Sequence, residues 1–268
     1  DVLYGEMKAG DKSAHDRNKA FRNEIARGLR GCSDYKKQGV FNSQYKKSLL
    51  MDAQVDLDAY IQYLEYERDP DKRFYLPRRD VLRPLVQDLQ DLYDGEIDFL
   101  GVSMPPRVGK STMCIMFVTW LMGNRPDVAS VMSGHSDKLT DGFYRELLSI
   151  LTDSTTYAWG DVFPTVKLVD TSAKNETIDL NHSKRFPTMT CRSIGGTLTG
   201  AVEIGSGGLL YVDDLIEDLE ESLNPLRLQA KYDAYLNQLK DRKKMGALEL
   251  MVGTRWNVYD PLGRVHDQ

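Results

Sequence analysis

Cysteine is scarce in this chain, and Cys32, Cys114 and Cys191 lie far apart with no CxxC pair among them. Neither a disulfide framework nor a structural zinc site can be read from that spacing, and a reducing compartment is expected. Long hydrophobic runs are missing too. The longest, Met113 to Met122, is broken by Thr119 and is far short of the ~20 residues of a membrane span. No charged-then-apolar leader opens the sequence, and no membrane association is expected. Neither sign of charge dominates, with 35 Lys and Arg against 40 Asp and Glu, and disordered, collagen-like and repeat classes are excluded. The net charge of -5 also argues against tight DNA binding by this chain alone. What is there suits a soluble globular protein. With 41% hydrophobic and 28% charged residues over 268 positions it can fill one large domain, or one and a half small ones. Because the chain starts at Asp1 and stops at Gln268 just after a structured-looking motif, it reads as a fragment.

Charge is unevenly placed. Residues 1–47 hold 11 Lys and Arg against 6 Asp and Glu, residues 48–96 hold 6 against 12, and residues 97–268 hold 18 against 22. The first segment has apolar periodicity only around Phe21, Ile25 and Leu29, so it reads as a basic, partly helical arm and as a solvated terminus more than a nucleic-acid contact. Helical spacing follows in Leu57, Ile61 and Leu64. It returns in Leu82, Leu85, Val86, Leu89 and Leu92, with Pro84 expected in that helix's first turn. The period then changes. Buried strands are expected at 97–102, 128–132, 209–212 and 247–252, and helices at 111–122, 142–151 and from the Asn224-Pro225 cap onward, with Leu228, Tyr232, Tyr235 and Leu239 on one face. Residues 165–192 alternate and predict short antiparallel strands. Apolar strands alternating with helices imply an α/β fold with a mostly parallel central sheet flanked by helices. The expected division is a basic arm and helical subdomain over 1–74 and a core over 75–268.

Between the first strand and its helix stands SMPPRVGKST, Ser103 to Thr112. A strand, a Gly-Lys-Ser turn and a helix are the context of a phosphate-binding loop, although Met104 occupies the first glycine position of GxxxxGK[ST]. In that reading the loop residues Pro105, Pro106, Arg107, Val108, Gly109 and Thr112 surround phosphates, which the backbone N–H groups of the loop and the helix N-terminus face, Lys110 lies along the β and γ phosphates, and Ser111 holds Mg2+. The bland alternative is a surface turn. About a hundred residues on, LLYVDD ends a strand in Asp213 and Asp214, the form that delivers one carboxylate to the metal and a second to the attacking water; the alternative is an Asp-Asp turn.

SMPPRVGKS, VMSGHSDKLTDGF, GGTLTG, LLYVDDLIED and MVGTRWNVYDPLG occur in the order found in the large terminase subunits of tailed bacteriophages, which this chain resembles over about Tyr75 to Arg264. The resemblance implies an ATP-hydrolysing P-loop NTPase of the additional-strand type that pumps double-stranded DNA into a capsid. It implies work as a homo-oligomeric ring with a portal protein and a small terminase subunit, in the host cytoplasm. Carried over, it puts an adenine-contacting segment at Tyr75 to Arg79, Arg107 on the γ phosphate, Ser111 and Asp213 on the metal, Asp214 as base, and Thr254 and Arg255 in the coupling motif after the next strand. Trp256 reads as a packing residue. Family members often carry Asp-Glu where this chain has Asp213 and Asp214, so Glu217 is the reserve base. An arginine acting on a neighbouring subunit's nucleotide is also implied, with Arg192 the first candidate and Arg185 and Arg145 after it.

DNA contacts are sought in Lys240, Arg242, Lys243 and Lys244, and in the pairs Lys36-Lys37 and Lys46-Lys47, any of which can equally be a solvated face. The family's nuclease half has no counterpart before Gln268, so ATP hydrolysis without DNA cleavage is expected. A helicase or remodelling ATPase, and a nucleotide-dependent assembly switch, stay open as alternatives.

Overall fold

A computed structural model describes residues 12–196 and 202–266, which divide into two compact units. The first contains the described residues up to Gln87 together with Asp153–Pro164, and the second contains Asp88–Thr152 and the described residues from Thr165.

In the first unit the expected solvated arm is, from Lys12 on, a pair of packed helices, α1 (Lys12–Gly31) and α2 (Tyr35–Asp52). The contact between them includes a buried polar network beside apolar packing of the Phe41 ring against Gly28. Arg22 Nη1 bonds Asp52 Oδ2 at 2.5 Å, Asn18 Nδ2 donates to the Ser48 carbonyl at 2.8 Å, and His15 Nδ1 lies 2.8 Å from Asp52 Oδ1. Asn18, Arg22, Ser48 and Asp52 are all buried. Paired polar groups at part of a helix contact weaken its apolar periodicity, which is why the sequence reads there as an arm. Asp34 caps α2 and Asp56 caps the next helix, α3 (Leu57–Glu65).

The expected boundary between 74 and 75 falls inside this unit. Buried Glu65 accepts the amide groups of Phe74, Tyr75 and Leu76, while Tyr75 Oη donates to Asp58 Oδ1 at 2.6 Å. Arg79 forks onto the same carboxylate at 2.8 and 2.5 Å. The segment 153–164 joins through Gln54 Nε2 on the Val162 carbonyl at 2.5 Å and Tyr63 Oη on Asp161 Oδ2 at 2.9 Å. Helix α4 (Arg79–Asp94) starts a turn earlier than expected, so exposed Pro84 stands inside the helix and not in its first turn.

The second unit is an α/β structure built on a seven-stranded sheet. Its main elements are β1 (Phe99–Ser103), α5 (Lys110–Asn124), β2 (Ser130–Gly134), α6 (Asp137–Thr152), β3 (Leu168–Ser172), β4 (Thr177–Leu180), β5 (Met189–Ser193), β6 (Leu209–Asp213), α7 (Pro225–Ala234), β7 (Leu248–Gly253) and α8 (Pro261–His266). The strand order is β1-β7-β6-β2-β5-β4-β3, parallel from β1 to β5, with β4 and β3 antiparallel as their alternating pattern predicts. Strands β2, β6 and β7 are buried along their whole length, in keeping with their mostly apolar sequences, although β2 carries Ser130 and Ser133 and β7 carries Glu249. The expectation of a buried β1 fails. It is the end strand of this order, and Gly101 and Ser103 are exposed. Helix α5 is buried all round from Met113 to Gly123. Helix α7 takes its cap from Asn224, continues into a π turn, Tyr235–Leu239, and buries Leu228, Tyr232, Tyr235 and Leu239 as expected.

Candidate functional site

In a parallel sheet the C-terminal strand ends open along one edge, so whatever follows adjacent strands is delivered to one place. Strands β1, β7 and β6 are neighbours in that order, and Lys110, Thr254 and Asp214 follow them. Their side chains meet. Lys110 Nζ donates to Asp214 Oδ1 at 3.1 Å and to Thr254 Oγ1 at 2.9 Å, and the same Asp214 oxygen accepts the Thr254 amide at 3.0 Å. Lys110 is 7% exposed, so its ammonium is committed to these partners.

Asp214 extends the β6–β7 ladder by one bond, from its amide to the Val252 carbonyl at 2.9 Å, and then turns to a φ of 40°. That left-handed conformation costs an L residue about 1 kcal/mol, least for Asp, Asn and Gly. Strained backbone of this kind collects at functional sites. Arg107 is a second case, with φ 66°, in an exposed loop in which Pro105 and Pro106 are exposed and Val108 and Gly109 partly buried. Gly109, at φ 94°, leads into α5, whose first turn has no side-chain cap and includes the partly buried Ser111 and Thr112. A helix N-terminus without a side-chain cap favours an anion.

Asp213 is 1% exposed. Tyr211 Oη donates to its Oδ2 at 2.8 Å, while Oδ1 is buried without a hydrogen-bond partner. Burial, then the neighbouring charge of Asp214, push its carboxyl up to about 6, against opposing effects from Tyr211, the Ser111 hydroxyl and Lys110. An orphaned carboxylate oxygen beside a serine hydroxyl is a donor set that fits Mg2+, which takes few protein ligands and completes its shell with phosphate oxygens and water. Among the described residues no group of three or more His, Cys, Asp or Glu could hold a metal by itself.

The other expected residues have surroundings of their own. Glu217 is exposed, with its amide bonded to Glu221 Oε2 at 2.9 Å. Arg255 pairs with Asp260 at 3.2 Å. Tyr75 has a ring that is 0% exposed, so it offers no face for adenine, and Arg79 is held by Asp58; both belong to the first unit. Arg192 lies partly buried on β5 opposite Ser133, its Nε without a partner. Arg185 stacks on Phe186, and Arg145 pairs with Asp141. Trp256, expected to pack, is 41% exposed. Of GGTLTG, Thr197 to Gly200 lie outside the described residues.

Among the basic candidates, Lys243 is bonded at 2.6 Å to Glu249, a buried carboxylate that also accepts from Tyr235 Oη. Lys244 pairs with Glu203 and Lys46 with Glu67, whereas Lys240 is exposed beside the Tyr235 ring.

Three contributors stand inside the quoted motifs with no role assigned to them there. Asp260, 2% exposed, accepts from Arg255 Nε and from the amides of Trp256, Asn257 and Gly263, and so shapes the loop after Thr254. Its only sequence signal is the Asp-Pro pair that opens α8. Tyr211 stands out as the one hydroxyl in an apolar strand. His135, whose Nδ1 lies 2.7 Å from the Asp214 carbonyl, stands within VMSGHSDKLTDGF, where nothing in its spacing marks a role. The chain matches no known protein family, and no curated protein is significantly similar to it.

Proposed function

We propose that this chain is a P-loop ATPase of the additional-strand type and the motor domain of a large terminase subunit, using Mg-ATP hydrolysis to drive double-stranded DNA into a capsid. The observation that carries the reading is the meeting of Lys110, Asp213, Asp214 and Thr254 at the ends of three adjacent parallel strands, with β7 between the strand before the loop and the strand ending in the aspartates. The buried Oδ1 of Asp213 adds to it.

In this reading Lys110 leaves Asp214 for the β and γ phosphates, while the amides of the loop and of the α5 N-terminus bind phosphate oxygens. Asp214, relieved of its ammonium, accepts a proton from the attacking water. Arg107 adds positive charge at the γ phosphate, and Arg192 is the first candidate to do so for a neighbouring subunit. Thr254 bonds both Lys110 and Asp214 and so is placed to register which of them is engaged. Mg2+, held by Ser111 and Asp213, would neutralise charge on the β and γ phosphates. The portal protein, the small subunit, ring assembly and the host cytoplasm complete the proposal.

The test is ATP turnover by the purified protein with Mg2+, with and without double-stranded DNA. Turnover stimulated by DNA and abolished in Lys110→Ala is expected. A folded protein that does not hydrolyse ATP, or a Lys110→Ala protein that does so at the wild-type rate, would overturn the reading. DNA-independent turnover would favour the assembly switch, and strand separation the helicase.

A further inference from the structure

We propose that His135 is the positioning residue of Asp214; this rests on the reading of Asp214 as the base. Strand β2 pairs with β6 in the register Gly134 with Asp213, so the residue after β2 stands across from the residue after β6. The approach is close because residue 134 has no side chain. A Cβ there would come within 2.6 Å of Leu139 Cδ2 and 3.1 Å of the Asp213 carbonyl oxygen. His135 Nδ1 lies 2.7 Å from the Asp214 carbonyl oxygen. A carbonyl only accepts, so Nδ1 carries the hydrogen and the imidazole is the donor.

The bond falls where the backbone departs from the sheet. At a φ of 40° Asp214 turns out of the ladder, and its peptide is held on one side by its amide on the Val252 carbonyl at 2.9 Å and on the other by His135. With both sides pinned, the carboxyl retains only its side-chain torsions, which Lys110 and the Thr254 amide now set. When Lys110 engages phosphate, the His135 and Val252 contacts remain and keep the carboxyl aimed. His135 touches no reacting atom in this account. It acts through the geometry of Asp214.

Replacement by Asn and by Gln separates the two ring nitrogens, because the Asn amide nitrogen takes the place of Nδ1 and the Gln amide nitrogen that of Nε2. His135→Ala and His135→Gln should lower kcat roughly ten- to a hundredfold, the range for residues that orient a functional group from behind, with KM for ATP changed less than about twofold. His135→Asn should recover most of the loss. Wild-type kcat in His135→Ala, or rescue by Gln equal to that by Asn, overturns the proposal. A wild-type protein without ATPase activity would sink the functional reading instead, and then a readout independent of turnover decides this one. Ring 15N shifts of the nucleotide-free protein should show hydrogen on Nδ1, and a crystal structure of His135→Ala should show Asp214 out of the left-handed region. A bare Nδ1 or an unmoved Asp214 counts against it.

Discussion

Lys110 and Asp214, 104 positions apart, form a 3.1 Å ion pair whose carboxylate oxygen is shared with the Thr254 amide. The pair joins the two groups the proposed chemistry must separate, the ammonium that goes to phosphate and the carboxylate that goes to water.

Lys110→Ala should therefore remove turnover, by at least roughly a hundredfold, because a preorganised charge at the reacting phosphate is lost. The fold should lose less than about 1 kcal/mol, since the Asp214 side chain is 33% exposed and water can replace the ammonium. Turnover assays beside denaturant melts check both halves, and a collapse of stability would make the lysine a structural residue.

Asp213→Asn should stabilise the protein while weakening its Mg2+-dependent nucleotide binding. Because the folded-state value is raised to about 6, the folded state holds this proton more tightly than the unfolded chain does, and stability falls as pH rises from about 4 through 6. Above that range the ionised carboxylate costs up to about 3 kcal/mol, which the amide removes. The variant should thus melt higher than wild type at pH 8, with the gain shrinking to nothing below about pH 4. Equal melting temperatures at pH 8 would contradict this.

Asp214→Asn should leave ATP binding intact and stop hydrolysis, a loss of roughly a hundredfold or more for a missing general base. Glu217→Gln, altering an exposed side chain, should hydrolyse normally. The reverse pattern in single-turnover and binding measurements transfers the role of base to Glu217.

Lys243 and Lys240 should behave differently although both belong to one basic run. Lys243→Ala strands Glu249, whose side chain is 2% exposed, and should cost about 3 kcal/mol in denaturant melts. Lys240→Ala should leave stability within about 0.5 kcal/mol. If this segment grips phosphates, Lys240→Ala should also weaken DNA binding and flatten its salt dependence. Unchanged DNA binding would take the segment out of the DNA path.

The α/β class, the strands β2, β6 and β7, the nearly all-apolar α5 and the capped α7 were legible because each is written in a largely contiguous run. Burial repeats with a period that neighbouring residues share, and caps and prolines mark where it stops. Lys110, Ser111, Asp213 and Asp214 could be singled out for the same reason, since each stands where an apolar strand ends or a helix begins, whereas Thr254 was implied by the resemblance alone. The polar contact of α1 with α2, the bond of Tyr75 and Arg79 to Asp58, the donors gathered by Asp260 and the hold of His135 on Asp214 link residues distant in sequence or leave no periodic trace. Which polar groups pair inside a fold depends on the approach of whole elements, so chain order named the residues for the chemistry, while the tertiary structure decided which of them meet.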